Sequence, residues 1–155
     1  MSGAIEIAAC SAEEILAHPL FPSLRDEAAA ECANPDLSPV LPDAELYRTL
    51  EQSGFAHAFR CGCGEELNGF AVVLFAPSGH NGRRYATVES LFVANAARNG
   101  GAGYRLMDVL ESAARNAGCE AITYSAHVGS RLARLLFLRS DQYVNTNHIF
   151  CKRLR

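Results

Sequence analysis

The sequence lacks any long hydrophobic run: no stretch of its 155 residues approaches the roughly 18 consecutive apolar residues of a membrane-spanning helix. Residues 1–14 also lack the basic, then apolar, then small-residue order of a secretion signal. We therefore expect a cytoplasmic protein with no membrane partner. A length of 155 residues is enough for one domain with its own core, and we expect a single domain over residues 1–155.

The sequence also lacks the features of several binding classes. Its net charge is −3 and it has no platform of interleaved aromatic and basic residues, so nucleic acid is not an expected partner. The six cysteines show no disulfide-framework spacing and are expected to be reduced. His57, Cys61 and Cys63 could form half of a zinc site, but no second ligand pair follows, so we expect no metal. A small zinc-binding interaction module built on these three residues is kept as an alternative.

Strands and helices alternate along the chain. Apolar periodicity predicts strands at residues 5–9, 57–60, 69–75, 84–93 and 121–125, and helices at residues 12–17, 24–32, 44–53 and 130–139. A further amphipathic helix ends before Gly118, and the proline-rich residues 34–42 are expected to form a loop. Residues 143–155 are expected to form one or two closing strands, which could pair across the edge of a homodimer.

A glycine-rich turn joins strand 84–93 to that amphipathic helix. Residues 100–103 offer no Ser, Thr, Asp or Asn cap, so the first N–H groups of the helix await an external acceptor, and an anion is suited to the positive end of its dipole. Leu106 stands where a Rossmann fingerprint needs its third glycine, and no lysine for a P-loop precedes Lys152. The turn therefore predicts a phosphate-bearing cofactor by a different motif.

The pattern that remains is R-x-x-G-x-G at Arg98, Gly101 and Gly103, and it resembles the acetyl-CoA signature of the GNAT superfamily of N-acetyltransferases. Residues 88–93 are similar to the fourth-strand segment of diamine-type members. The resemblance implies an α/β (α+β) fold with a mixed, mostly antiparallel central sheet flanked by helices. It also implies that the two parallel strands around the turn and its helix splay apart to hold acetyl-CoA. The cofactor-binding residues that it implies are Leu91, Phe92, Val93, Arg98, Asn99, Gly100, Gly101, Ala102, Gly103, Tyr104 and Arg131.

Glu89 is the candidate catalytic base. Acetyl transfer from a thioester needs a neutral amine, a donor to the developing oxyanion and a proton for the departing thiolate. Glu89 is a charged residue within an apolar strand, and the resemblance to diamine acetyltransferases implies that it takes the amine proton, often through water. The alternative is that Glu89 forms an ion pair with Arg83 or Arg84, or hydrogen-bonds a neighbouring strand.

The candidate acid is where the sequence departs from the family. Phe137 stands where many members have a tyrosine that protonates the thiolate, and a phenyl ring cannot supply a proton. Tyr143, Tyr124 or His127 could take that role, and His127 could also be a base. Alternatively, the thiolate could leave unassisted, since a thiol pKa is near ~8.5.

These residues together predict an acetyl-CoA-dependent N-acetyltransferase that acetylates a primary amine by direct transfer in a ternary complex. An acetylated Cys63 or Cys119 lacks a paired base in the sequence. A small amine is the expected acceptor, and a peptide amine remains open. Residues 1–80 carry 12 acidic against 3 basic side chains and residues 81–155 carry 5 against 11, so the first half could attract a cationic amine. Phe137 favours the alternative of a non-catalytic acyl-CoA-binding or regulatory domain.

Overall fold

The computed structural model describes residues 5–32 and 41–152. Within these ranges, one sheet contains five strands in chain order: β1 (Glu6–Cys10), β2 (Ala56–Gly62), β3 (Gly69–Pro77), β4 (Arg84–Val93) and β5 (Cys119–Tyr124). Neighbouring strands are antiparallel, except that β4 and β5 are parallel. The helices are α1 (Ala12–Ala17), α2 (Phe21–Cys32), α3 (Ala44–Gln52), α4 (Ala102–Asn116) and α5 (Arg131–Leu138), with a 3-10 helix at Asn95–Gly100. The predicted fold class is confirmed.

Polar side chains fix where three of the helices begin. Ser11 caps α1, because its Oγ accepts a hydrogen bond from the Glu14 N–H at 3.1 Å while the Glu14 carboxylate accepts one from the Ser11 N–H at 2.6 Å. Asp43 caps α3 and Ser130 caps α5, as predicted for α5. Each such cap is worth about 1 kcal/mol. In contrast, α4 has Gly101 at its N-cap position and therefore no side-chain cap.

The sheet carries an apolar layer on each face. On one face, which we call the α4 face, Leu106 and Leu110 of α4 are fully buried against β2, β3 and β4. On the other face, which we call the α1–α3 face, Phe70 and Phe92 lie in a second buried cluster with residues of α1 and α2. Burying one such side chain contributes about 1.5–3 kcal/mol. The two layers therefore hold β4 rigidly from both sides.

The parallel strands β4 and β5 pair over only the first half of β4. The pairing runs from Arg84, opposite Cys119, to Val88, opposite Tyr124. Residues 89–93 of β4 continue beyond this point with β3 as their described strand partner, since β5 ends at Tyr124. The predicted splay is confirmed, and it leaves one edge of β4 open beside the glycine-rich turn.

The predicted closing strands are wrong over residues 143–152, which form no strand, while residues 153–155 lie outside the described ranges. Apolar residues at this end of the chain produced the prediction, but a strand also needs a partner edge. Phe150 is instead 92% exposed, and Val144 and Ile149 are exposed as well. The homodimer remains a prediction, without a described strand in this segment to support it.

Two other predictions concern α2 and the residues that follow it. This helix begins at Phe21, three residues earlier than predicted, because Pro22 is tolerated in a first turn where its missing N–H would have no intrahelical acceptor. The predicted loop at residues 34–42 falls mostly on residues 33–40, which are outside the described ranges. None of the helices in the described ranges has the length and apolarity needed to cross a membrane.

Candidate active site

Glu89 occupies a bulge in β4. Ser90 lies opposite Val72 of β3, and Val88 lies opposite Val73, so Glu89 has no opposing residue. A bulge of this kind inserts one extra residue, bends the strand and re-aims the side chains that follow. The bulge lies where β4 leaves β5, which puts an exposed carboxylate at the start of the open edge.

The bulge also sets which face the rest of β4 presents. Val88, Leu91 and Val93 all pack against the cluster on the α4 face, although a regular strand alternates faces at every residue. The spacing of three between Val88 and Leu91 needs the extra residue that the bulge supplies. Phe92 then turns to the α1–α3 face. The break in alternation was a signal in the sequence, but it did not by itself locate the bulge.

The Glu89 carboxylate is bound by a residue that the sequence did not single out. Tyr47 of α3 donates its hydroxyl proton to Glu89 Oε1 at 2.7 Å. Burial first, and then the hydrogen bond to Glu89, raise the pKa of the Tyr47 phenol above its usual range. The predicted alternative ion pairs do not form, because Arg83 pairs with Glu120 at 3.2 Å and Arg84 donates to a backbone oxygen after α4.

The glycine-rich turn presents bare backbone to open space. Gly101 has φ 72°, in the left-handed region, and precedes the buried Ala102 at the start of α4. A β-carbon added at Gly101 or Gly103 would meet nothing within 4 Å, and one at Gly100 would meet only Ile5, at 3.6 Å. The first N–H groups of α4 thus have no side-chain cap, and the glycines beside them carry no side chain, which is an arrangement that suits an anion.

Arg98 holds the turn instead of facing that open space. Its Nε donates to the backbone oxygen of Val93 at 2.7 Å, and its Nη2 donates to Glu31 of α2 at 2.9 Å. The guanidinium carbon lies 5.3 Å from the centre of the Phe92 ring, and the side chain is only 15% exposed. Arg98, expected to bind the cofactor, therefore lies where it fixes the end of β4 to α2.

A second residue of the 3-10 helix is bound to α2 in the same way. The Asn95 N–H donates to Glu27 at 2.8 Å, and its side-chain amide donates to Glu31 at 3.1 Å. We call Glu27, Glu31, Asn95 and Arg98 the α2 brace. Neither glutamate was predicted from the sequence, since the Asn95 contacts join residues 68 and 64 positions apart and leave no local pattern.

Tyr143 and Tyr124 share one carboxylate on α4. Both hydroxyls donate to Glu111 Oε1, and the two rings meet edge to face with their centres 5.8 Å apart. Burial, followed by the hydrogen bond to Glu111, raises the pKa of Tyr143 to about 12. Burial, followed by the charge of Glu111, raises the pKa of Tyr124 as well. The pair ties the residues after α5 to α4.

The remaining predicted site residues lie around the turn and beyond β5. His127 is exposed, with its Nδ1 3.1 Å from a neighbouring backbone oxygen, and Arg131 is exposed at the first position of α5. Phe137 is 65% exposed. Tyr104, in the first turn of α4, is partly covered by Arg139, whose guanidinium carbon lies 4.6 Å from the ring centre. Arg139 thus brings an unpredicted positive charge close to the start of α4.

Residues 21–138 match the sequence model of the acetyltransferase (GNAT) family. The chain belongs to this family. The match includes the bulge, the glycine-rich turn, α4 and all of α5. It confirms the resemblance that the sequence motif indicated. A search of curated proteins found no significant match.

Solved structures share the fold of this GNAT chain along nearly its whole length. A ribosomal-protein-alanine N-acetyltransferase from Brucella melitensis biovar Abortus 2308 is 20% identical, with a TM-score of 0.69 over 98% of this chain and 100% of that one. An aminoglycoside acetyltransferase from an uncultured soil metagenomic sample is 17% identical, with a TM-score of 0.71 over 97% of each chain. AAC(6')-Iy, in complex with a CoA-containing bisubstrate analogue, is 16% identical, with a TM-score of 0.70 over 99% of each chain.

The three residues of the hypothetical zinc module do not converge in the GNAT chain. His57 is exposed and packs edge-on against Phe75 at 5.0 Å, whereas Cys61 is fully buried. Among the residues with described side chains, no group of three His, Cys, Asp or Glu could hold a metal ion. The site therefore consists of the bulge, the open edge and the turn.

Proposed function

We propose that this chain is an acetyl-CoA-dependent N-acetyltransferase, a single domain over residues 1–155, that transfers an acetyl group directly to a primary amine in a ternary complex. The observation that carries the proposal is the uncapped start of α4 beside the open edge of β4. Helix N–H groups suit the pyrophosphate of CoA, and a free strand edge suits the amides of its pantetheine arm. AAC(6')-Iy in its complex with a CoA-containing analogue supports the same cofactor here.

In this proposal the backbone binds the cofactor and side chains shape the site. Residues 100–104 provide N–H groups for the phosphates, and Leu91, Phe92 and Val93 provide the strand edge. Arg131, the first residue of α5, and Arg139, which follows its last residue, add positive charge. Arg98 contributes through the α2 brace, because its guanidinium is already bound to Val93 and Glu31.

Glu89 is the proposed base. A primary amine with a pKa near 10 is neutral in only about one molecule in a thousand at pH 7, so removing its proton is part of the reaction. Glu89 has an exposed carboxylate at the start of the open edge, where it could take that proton directly or through one water molecule. The amine nitrogen then bonds to the acetyl carbon, and the carbon–sulfur bond breaks to release the thiolate.

We propose that the thiolate leaves without a protein acid. Phe137 has no proton to give. Burial raises the pKa of Tyr143 to about 12, and its hydroxyl already donates a hydrogen bond to Glu111, so transfer of its proton to a thiolate would be uphill. A free thiol has a pKa of about 8.5, which makes the thiolate an adequate leaving group at neutral pH. The alternative to unassisted departure is His127, which is exposed after β5, as the donor.

The acceptor is proposed to be a small-molecule amine or a peptide amine. The similar structures include enzymes named for aminoglycosides and for a ribosomal protein alanine, so both kinds of acceptor occur on this fold. The acidic balance of residues 1–80 favours a cationic acceptor. The cytoplasm is the proposed compartment, and the five cysteines with described side chains, all free, are in keeping with it. Nucleic acid and membrane are not proposed partners.

A second candidate function is a non-catalytic acyl-CoA-binding domain. Phe137 supports it, since the residue at this position lacks a hydroxyl and is exposed. The cofactor loop would be the same in both cases, so CoA binding alone does not separate the two functions. Only turnover does.

The test is release of free CoA thiol from acetyl-CoA, measured with a panel of small amines and peptides. We expect release that depends on an amine. Glu89→Gln should lower turnover about a hundredfold and leave CoA affinity unchanged, with partial recovery at high pH as the amine loses its own proton. Glu120→Gln is the matched control, because it removes an exposed carboxylate from β5. Tight CoA binding without amine-dependent release would favour the second function, and a fully active Glu89→Gln would exclude this base.

A further inference from the structure

Tyr47 connects α3 to the bulge of β4. Its hydroxyl donates to Glu89 Oε1 at 2.7 Å across 42 positions of sequence. Within the described ranges, no other group hydrogen-bonds to this carboxylate. The neighbouring strand residues Val72, Val73 and Ser90 carry no charge. The Tyr47 hydroxyl is therefore the described group that sets the direction of Glu89.

The helix that carries Tyr47 is capped before this residue and anchored to α1 after it. Asp43 accepts two backbone N–H hydrogen bonds of 3.0 Å at the start of α3. After Tyr47, Arg48 pairs with Glu13 of α1 at 2.9 Å, and Glu51 accepts a 2.8 Å hydrogen bond from the first N–H of α1. Each contact alone is weak in water. Together they restrict the movement of α3, so the Tyr47 hydroxyl is held beside the Glu89 carboxylate.

The bulge is the reason that Glu89 needs such a partner. In a regular strand the opposing residue restricts a side chain, but Glu89 has none, and its exposed chain can rotate about three bonds. A hydrogen bond to a charged oxygen is stronger than one between neutral groups and selects one orientation. The Tyr47 ring is partly buried in the cluster on the α1–α3 face, so the donor does not swing away with the carboxylate.

The direction of this hydrogen bond is also fixed. Burial and the neighbouring carboxylate raise the pKa of the Tyr47 phenol above its usual range, so the hydroxyl keeps its proton and donates it throughout the neutral range. The hydrogen bond therefore holds the Glu89 carboxylate through its Oε1 atom.

We propose that Tyr47 is a positioning residue for acetyl transfer: it orients Glu89 toward the acceptor amine and makes α3 a wall of the acceptor site. This inference rests on the proposed role of Glu89 as the base. It assigns α3 a role in positioning the catalytic base, which is separate from the role of the glycine-rich turn in binding the cofactor.

Tyr47→Phe tests the proposal, because it keeps the ring and removes only the hydroxyl. We expect kcat to fall on the order of tenfold, with the KM for acetyl-CoA unchanged. Tyr85→Phe is the matched control: Tyr85 lies at the far end of β4, and its hydroxyl is 3.5 Å from the Glu120 carboxylate. Its kcat and its KM for acetyl-CoA should equal those of the parent. The double variant with Glu89→Gln should be no slower than Glu89→Gln alone.

A measurement without turnover separates this inference from the proposed function. Carbon-13 NMR of the Glu89 carboxyl reports its chemical environment directly, and Tyr47→Phe should shift its resonance at neutral pH while Tyr85→Phe leaves it in place. If no amine is acetylated but the resonance shifts, the proposed function fails and Tyr47 still holds the carboxylate. An active Tyr47→Phe with unchanged kcat and an unchanged resonance would overturn the positioning role.

Discussion

Gly101 and Gly103 belong to the same turn but are needed for different reasons. Gly101 has φ 72°, a conformation that costs other residues about 1–2 kcal/mol, so its role is in the backbone. Gly103 has no positive φ and has open space where a β-carbon would stand. Another side chain would therefore fit the fold at Gly103 while covering the start of α4. Substitutions at Gly101 therefore test the stability of the fold, whereas substitutions at Gly103 test the binding of the cofactor.

Gly103→Glu is expected to stabilise the protein and to weaken cofactor binding. An acidic residue in the first turn of a helix, in place of glycine, should raise the free energy of unfolding by about 0.5–1 kcal/mol. The same carboxylate should weaken CoA binding by at least about tenfold, by bulk and by repulsion of the phosphates. Urea unfolding and calorimetric titration with CoA measure the two effects. Gly101→Ala serves as the opposite control, since it should destabilise the fold without adding charge. Unweakened CoA binding by Gly103→Glu would remove the turn from the cofactor site.

Cys10 should make the protein less stable in alkali. Burial, aided by the charge of Glu14, raises the pKa of its thiol from 9.0 to about 11. The unfolded chain loses this proton near pH 9 while the folded chain keeps it, so the stabilising contribution is complete below pH 9 and declines as pH rises toward 11. We expect a loss on the order of 1–2 kcal/mol between these limits. Urea unfolding at several pH values should show a shallower decline for Cys10→Ser. Parallel declines in the two proteins would contradict the assignment to Cys10.

At the scale of the element, the α2 brace predicts whether Glu31→Gln strengthens or weakens the binding of CoA. Glu31→Gln removes a negative charge near the proposed phosphate site, which by field alone should tighten CoA binding. It also breaks the ion pair of 2.8 Å with Arg98, whose side chain is mostly buried, and so should loosen the turn. We expect the loss of the ion pair to outweigh the loss of negative charge, so CoA binding should weaken about three- to tenfold. Calorimetric titration measures the change, with Glu45→Gln on exposed α3 as the charge-matched control. Tighter binding would show that the brace does not set the turn.

Local patterns predicted the elements that form locally. The helical spacing of Leu106 and Leu110 located α4, and the missing cap with the glycines located the turn, because both depend on residues close in sequence. The bulge, the brace and the Tyr47 contact join residues far apart, and a tyrosine on an amphipathic helix is equally typical of core packing. The residues after Tyr143 show the opposite error, since their apolar pattern predicted a strand for which the fold supplies no paired edge.

At the scale of the whole molecule, the reactivity of each cysteine reports whether its position is exposed to solvent or buried. Cys61 is fully buried, and burial raises the pKa of its thiol, whereas Cys151 is exposed. We expect alkylation at neutral pH to modify Cys151 rapidly and Cys61 only after unfolding. Peptide mapping by mass spectrometry reads each site. Denaturation without reductant should make all six cysteines reactive. Fewer than six would reveal a disulfide and contradict the predicted reduced state.

The uncapped start of α4 has a consequence for how the sequence can change over evolution. Its donors are main-chain amides, which every residue except proline possesses, so exchanging the side chains of Asn99 or Tyr104 leaves the donors in place. Mutational drift at such a site is limited by backbone shape at Gly101 and by bulk at Gly103, and little else. The chain is only 16–20% identical to three solved structures that share its fold. Substitution in this turn is therefore constrained by the conformation of the main chain more than by the identity of the side chains.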